Sequence, residues 1–223
     1  MNFLLFLTKI KQMKTSVLLS FLMPILLFTA CKDEPTPFEK PETGMFFNGV
    51  VNNYEKAMIE SQNGYRFISN DSCVSISNGI SFFCTNMIFQ GNSNYYMSNR
   101  ESFGLNYFNL FDTVMTNRDS VINQYFVSPM PFAYIDTTSS VPNDNIFGVE
   151  ITWIDGKGDY YTTLYTPQTG SLNLDLYSMS MGAIGRNIKV EASFSCTLYS
   201  PEEKKTITLT DGITRIISNT TCF

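Results

Sequence analysis

Between Ile188 and Leu198 every second residue is apolar. Ile188, Val190, Ala192, Phe194, Cys196 and Leu198 alternate with Lys189, Glu191, Ser193, Ser195 and Thr197. A period of two gathers the apolar set on one face of an extended strand, whereas a helix would scatter it around its axis. Leu172, Leu174 and Leu176 repeat the pattern, as do Ile207 and Leu209 between threonines. Val149, Ile151 and Trp153 share a face and lead through Asp155-Gly156-Lys157-Gly158 into YYTTLY, which reads as a hairpin with glycines at its turn. Ser77-Asn78-Gly79-Ile80 marks a second hairpin, with Asn78-Gly79 as a two-residue turn. Helix is hinted at twice. Phe111, Val114, Met115, Val121, Ile122 and Tyr125 fall on one helical face, and Asn53 to Ser61 reads as either a helical turn or a strand. The expected fold is all-β, an antiparallel β-sandwich or small barrel with one or two short helices.

The N-terminal part has a different character. Three lysines and no acid occupy the first 30 residues, and Val17 to Ala30 is an apolar run broken by Pro24. Fourteen helical residues cover about 21 Å, short of the roughly 30 Å hydrocarbon core, so a signal peptide fits and a membrane span does not. Met13-Lys14 would make a compact start for such a peptide, with Met1 as the alternative start. Leu27-Phe28-Thr29-Ala30-Cys31 resembles the bacterial lipobox, in which a small residue precedes a cysteine that is acylated. Phe28 stands where that family usually has leucine. The resemblance implies a lipid on Cys31 and attachment to a membrane by hydrocarbon burial. Lys32-Asp33-Glu34 is similar to the export signal of surface-exposed lipoproteins of Bacteroidota, which implies an outer-membrane address facing the cell exterior, with the periplasmic face as the alternative.

Pro35, Pro37 and Pro41 then favour extended conformers. The reading divides the chain into a signal peptide (1–30), a lipidated cysteine and tether (31–44) and one β-rich domain (45–223). Its end, KVEASFSCTLYSPEEKKTITLTDGITRIIS, resembles the closing segment of small Bacteroidota lipoproteins of unknown function and brings no catalytic residue with it.

From Cys31 onward 12 basic residues face 20 acidic ones, a net of −8. An acidic domain with no basic run is a poor partner for nucleic acid. Histidine is absent, which removes Ser-His-Asp and Cys-His catalysis and most zinc-enzyme ligand sets. No nucleophile-elbow, zincin, P-loop or dinucleotide-binding signature occurs. No cofactor, metal site or catalytic residue is expected.

Setting Cys31 aside leaves Cys73, Cys84, Cys196 and Cys222, an even count for an oxidising compartment. Of the three connectivities, counting outward from the Asn78-Gly79 turn favours Cys73–Cys84, with Cys196–Cys222 by elimination. Asp155 to Asp159 alternates carboxylates as a calcium loop would, yet Lys157 sits between them and a turn explains both glycines. Tyr95-Tyr96, Tyr107-Phe108, Tyr125-Phe126, Tyr134 and Tyr160-Tyr161 are candidates for stacking on sugar rings or filling a partner's pocket, although strands favour such residues for packing alone. The expectation is a non-enzymatic surface lipoprotein that binds a glycan or an envelope protein. The alternatives are a carbohydrate-active enzyme using a carboxylate pair and a barrel holding a lipid or small molecule.

Overall fold

A computed structural model describes residues 37–76, 79–90, 101–111, 126–136, 147–182 and 185–220. They form eleven strands: β1 (Phe46–Val51), β2 (Tyr54–Ile59), β3 (Tyr65–Ile76), β4 (Gly79–Gln90), β5 (Ser102–Phe111), β6 (Met130–Pro131), β7 (Gly148–Ile154), β8 (Tyr160–Thr162), β9 (Ser171–Met181), β10 (Arg186–Ser200) and β11 (Lys205–Thr220). Every ladder between them is antiparallel. No helix occurs among the described residues. The ambiguous stretch after Asn53 is strand β2. The helical face proposed from Phe111 starts on the last residue of β5 and otherwise lies outside the described residues.

The strands run in the order β2-β1-β11-β10-β8-β7-β5-β4-β3, with β9 on β10 and β6 on β9. The path has two ends, β2 and β3, so the sheet is open and the closed-barrel expectation is corrected. It curls until its halves face each other. Phe47 of β1 stacks on Phe103 of β5 with ring centroids 4.1 Å apart, and Phe103 lies 5.9 Å from Phe194 of β10. Trp153, Leu105, Ile151, Met58, Leu198 and Leu209 fill the remaining interior, each at most 2% exposed. Burying such side chains is worth about 1.5–3 kcal/mol each, which makes this interior the main stabilising feature.

The alternation in β10 survives as read, with Ile188, Val190, Ala192, Phe194, Cys196 and Leu198 all buried. In β9 it does not. Glu191 pairs with Leu176 while its neighbour Ala192 pairs with Leu174, so Asp175 is an extra residue. One inserted residue reverses the parity of a strand. Leu174 therefore packs against the core and Leu176 turns outward, 41% exposed, while Tyr177 and Met179 become the inward pair.

A second irregularity lies at Asp211-Gly212, inside β11. Phe194 pairs with Gly212 and Cys196 with Leu209, so β11 bulges there. Asp211 takes a left-handed φ of 52° and donates its N–H to Ser195 Oγ at 3.2 Å. A Cβ on Gly212 would stand 2.8 Å from the Phe194 ring and 2.7 Å from Leu209, so only glycine lets that ring lie over the backbone.

The β3–β4 hairpin differs from its expected register. Ile76 pairs with Gly79, Cys73 with Phe82 and Asp71 with Cys84. The twelve-pair β3–β4 ladder and the ten-pair ladder from β4 to β5 set this alignment, overriding the local Asn78-Gly79 turn signal. Cys73 and Cys84 become diagonal neighbours. Such positions lie about 7–8 Å apart, against the usual ~4.4–6.8 Å of a disulfide, so the expectation that Cys73 and Cys84 stand directly opposite each other is corrected.

Candidate functional site

Three turns meet at one end of the sheet. The first joins β1 to β2. Val51 pairs with Tyr54, and Asn52 and Asn53 between them both take positive φ, 50° and 69°. That is the two-residue hairpin whose twist matches the flanking strands, and asparagine is the non-glycine residue best suited to it. Asn52 N–H donates to Thr208 O at 2.8 Å, which ties the turn to β11. Tyr54 follows directly and is 69% exposed.

The second turn joins β7 to β8. Asp155 Oδ1 accepts from the N–H of Lys157 at 2.8 Å and of Asp159 at 3.0 Å. The carboxylate thus organises the turn, as the hairpin reading of this segment expects. Trp153 and Tyr161 form a cross-strand pair at its base, 2% and 5% exposed. Burial first, then the charges of Asp155 and Asp159, push the Tyr161 phenol up, so it stays protonated and able to donate. The third contribution is Ile207, just after the β10–β11 turn.

Between these turns lies an open cleft of about 510 Å³, lined by Val51, Asn52, Tyr54, Lys56, Glu101, Trp153, Asp155, Gly156, Lys157, Tyr161 and Ile207. Its size is that of a small-ligand site, and its make-up, an aromatic floor beneath a polar rim, is of the same kind. Lys56 Nζ donates to Glu101 Oε1 at 2.5 Å across one wall. Lys157 has no carboxylate partner among the described residues.

A separate polar cluster lies beneath the sheet surface. Glu150 is 4% exposed and its carboxylate accepts from Asn106 Nδ2 at 2.7 Å, Thr162 Oγ1 at 2.5 Å and Tyr160 OH at 3.0 Å. Burial first, then the charge of Glu150, push the Tyr160 phenol up, which keeps it a donor. Three donors, and no cation among the described residues, make this a buried carboxyl group satisfied by hydrogen bonds, a device that joins β5, β7 and β8.

At the other end of β1, the chain arriving from the tether is gripped. Arg215 is buried, donates Nε to Glu191 Oε1 at 2.6 Å, and points Nη1 at the carbonyls of Pro41 (2.8 Å), Glu42 (3.2 Å) and Gly44 (3.4 Å). Its guanidinium lies 5.2 Å from the centre of the Phe46 ring. Lys40 pairs with the same Glu191. Residues 40–44, expected from the sequence to be tether, belong to the compact unit that holds the sheet, which begins at Lys40.

The sequence-derived candidates are distributed as follows. Cys31, Lys32, Asp33, Glu34 and Cys222 lie outside the described residues. Cys196 is a buried free thiol. It faces Leu209, whereas Thr220 at the end of β11 pairs with Arg186, ten residues away along β10. Ten residues of strand cover about 33 Å and two more residues of chain reach only about 7 Å, so a Cys196–Cys222 bridge does not fit this register. Burial pushes the Cys196 thiol up to about 12, and the thiolate is the reactive form. Iodoacetamide at about pH 8 should therefore leave Cys196 unmodified in native protein and label it only after denaturation. Peptide mapping that finds it labelled in the native state would contradict the packing around β10.

Of the aromatic candidates, Tyr95, Tyr96 and Tyr125 lie outside the described residues, Tyr107 is core, and among the described candidates Tyr161 lines the cleft. Sequence reasoning missed Tyr54. The signal that would have found it is Asn52-Asn53 between two apolar-strand residues, a hairpin turn without glycine. Among the described residues no cluster of three or more carboxylate or cysteine side chains offers a metal site. No protein-family model, curated protein or solved structure matches the chain.

Proposed function

We propose that this chain is a lipid-anchored lipoprotein of the outer membrane, displayed on the cell exterior, whose β domain captures a ligand in the cleft beside Tyr54 without transforming it. The lipobox ending in Cys31 and the Lys32-Asp33-Glu34 cluster support the address. The observation that carries the binding role is the rim tyrosine, 69% exposed on a turn pinned to β11, above a Trp153–Tyr161 floor. Large exposed aromatics on rigid turns are costly to leave in water and serve as contact anchors.

Two carboxylates line the same cleft, Glu101 and Asp155, as hydrolysis of a glycoside would require. Both are engaged: Glu101 by Lys56, and Asp155 by the two amides of its own turn. That engagement favours capture over hydrolysis.

Cys31→Ala is expected to move the protein from the membrane fraction to the soluble fraction and to abolish incorporation of an alkyne fatty acid. Wild-type protein that takes up no label would end the anchored reading. Protease added to intact cells should digest the wild-type domain if it faces outward.

A further inference from the structure

We infer that the ligand of this cleft is a neutral carbohydrate, bound by stacking of a pyranose face on Tyr54 with its hydroxyls held by the polar rim. The inference rests on the capture reading above and adds the ligand class. Charge is the first argument. Two ammonium groups, Lys56 and Lys157, and two carboxylates, Glu101 and Asp155, line the cleft, so its formal charge is zero on a domain that is otherwise acidic. Such a lining exerts no net pull on a polyanion or a polycation, and the acidic surroundings repel polyanions.

Chemistry is the second. Asn52 and Lys157 both line the cleft, and Glu101 and Asp155 each keep one carboxylate oxygen, Oε2 and Oδ2, with no donor among the described residues. Donors and acceptors mixed at close quarters suit hydroxyl groups, each of which both donates and accepts. An apolar ligand would leave those groups desolvated without partners. The third argument is shape. Tyr54 is 69% exposed beside an open cleft and is not sealed inside a pocket, so its ring is accessible to a sugar that belongs to a longer chain.

The full chain, purified in detergent, should be run through native gels containing neutral glucan, mannan, xylan or galactan, and through gels with polygalacturonate or alginate. At least one neutral polymer should retard it. Tyr54→Ala should weaken that retardation about tenfold, with circular dichroism unchanged because the side chain packs against little. Raising salt from about 0.05 to about 0.5 M should leave the affinity within about twofold, since no ion pair is formed with the ligand. Retardation only by the acidic polymers, lost with salt and sensitive to Tyr54→Ala, overturns the neutral-sugar inference while leaving capture at the cleft intact. Binding to no polymer, or binding indifferent to Tyr54→Ala, overturns the inference. If a Lys157→Glu/Asn52→Ala double variant is equally without effect on any ligand recovered by native mass spectrometry, the cleft is not the binding site and the capture reading falls with it.

Discussion

Replacing Arg215 by methionine is expected to destabilise the domain by about 3–5 kcal/mol, at the lower end because Lys40 still reaches Glu191. The cost has two sources. Glu191, whose side chain is 12% exposed, loses the partner that offsets its burial, and the carbonyls of Pro41, Glu42 and Gly44 lose their shared donor. The pH profile carries the same information. Burial by itself would raise the Glu191 carboxyl, but hydrogen bonds from Lys40 and Arg215, with their charges, hold it below the usual range. A depressed folded-state pKa stabilises the fold fully above the unfolded value, about 4.3 for glutamate. That contribution is lost as the pH falls through the lowered folded value. Urea midpoints measured from about pH 7 down to about pH 3 should therefore fall less on acidification in Arg215→Met than in wild type, so that the gap between the two proteins is widest near pH 7 and narrows toward pH 3. The variant should also be cut by protease near Pro41–Gly44. Superimposable urea curves for the two proteins would show that the grip contributes nothing to stability.

A comparable loss is expected from a single methyl group at Gly148. This residue opens β7 with φ +118°, a region L side chains rarely adopt, and its added Cβ would stand 2.4 Å from Pro131 O and 3.0 Å from Ala133 N. Both neighbours are backbone, so no rotamer change relieves the clash. The segment from Met130 to Ala133 must move, although Met130 and Ala133 are 2% and 0% exposed and Ala133 N–H is bonded to Val149 O at 2.8 Å. Strain and overpacking each cost about 1–3 kcal/mol, and here they coincide. Gly148→Ala should unfold at lower denaturant and expose the Ala133 amide to hydrogen exchange well before the β10–β11 core. An Ala133 amide as protected as in wild type would contradict this packing.

What could be read from the residues was whatever depends on near neighbours. The face of β10 was legible because six apolar residues repeat at the strand period, and the Asp155 turn because an aspartate precedes two glycines. Leu176 was misplaced because a bulge reverses parity without any local mark; the reversal is decided by what β10 offers across the ladder. The register expected to place Cys73 opposite Cys84 failed for a related reason: a turn dipeptide specifies register weakly against a ladder of twelve pairs. Glu150, Asn106, Tyr160 and Thr162 are polar residues on three strands, and nothing in their spacing announces that they converge. Tyr54 was overlooked because its turn uses two asparagines in a conformation usually assigned to glycine.

The position of β1 has a mechanical consequence. This strand begins beside Gly44, where the N-terminal chain arrives, and ends at Val51 in the cleft, about 20 Å away for six extended residues. It is flanked on both sides, by β2 and by β11, so its hydrogen bonds stand across its length. Tension applied through residues 40–44 would act along β1 as shear, distributed over both ladders at once. A strand at the sheet edge, pulled sideways, would instead give way one bond at a time. The Arg215 grip lies ahead of that ladder and takes the first share of the pull. A domain held at one end by its own chain and at the other by a captured polymer would thus be strained in the direction its sheet resists best.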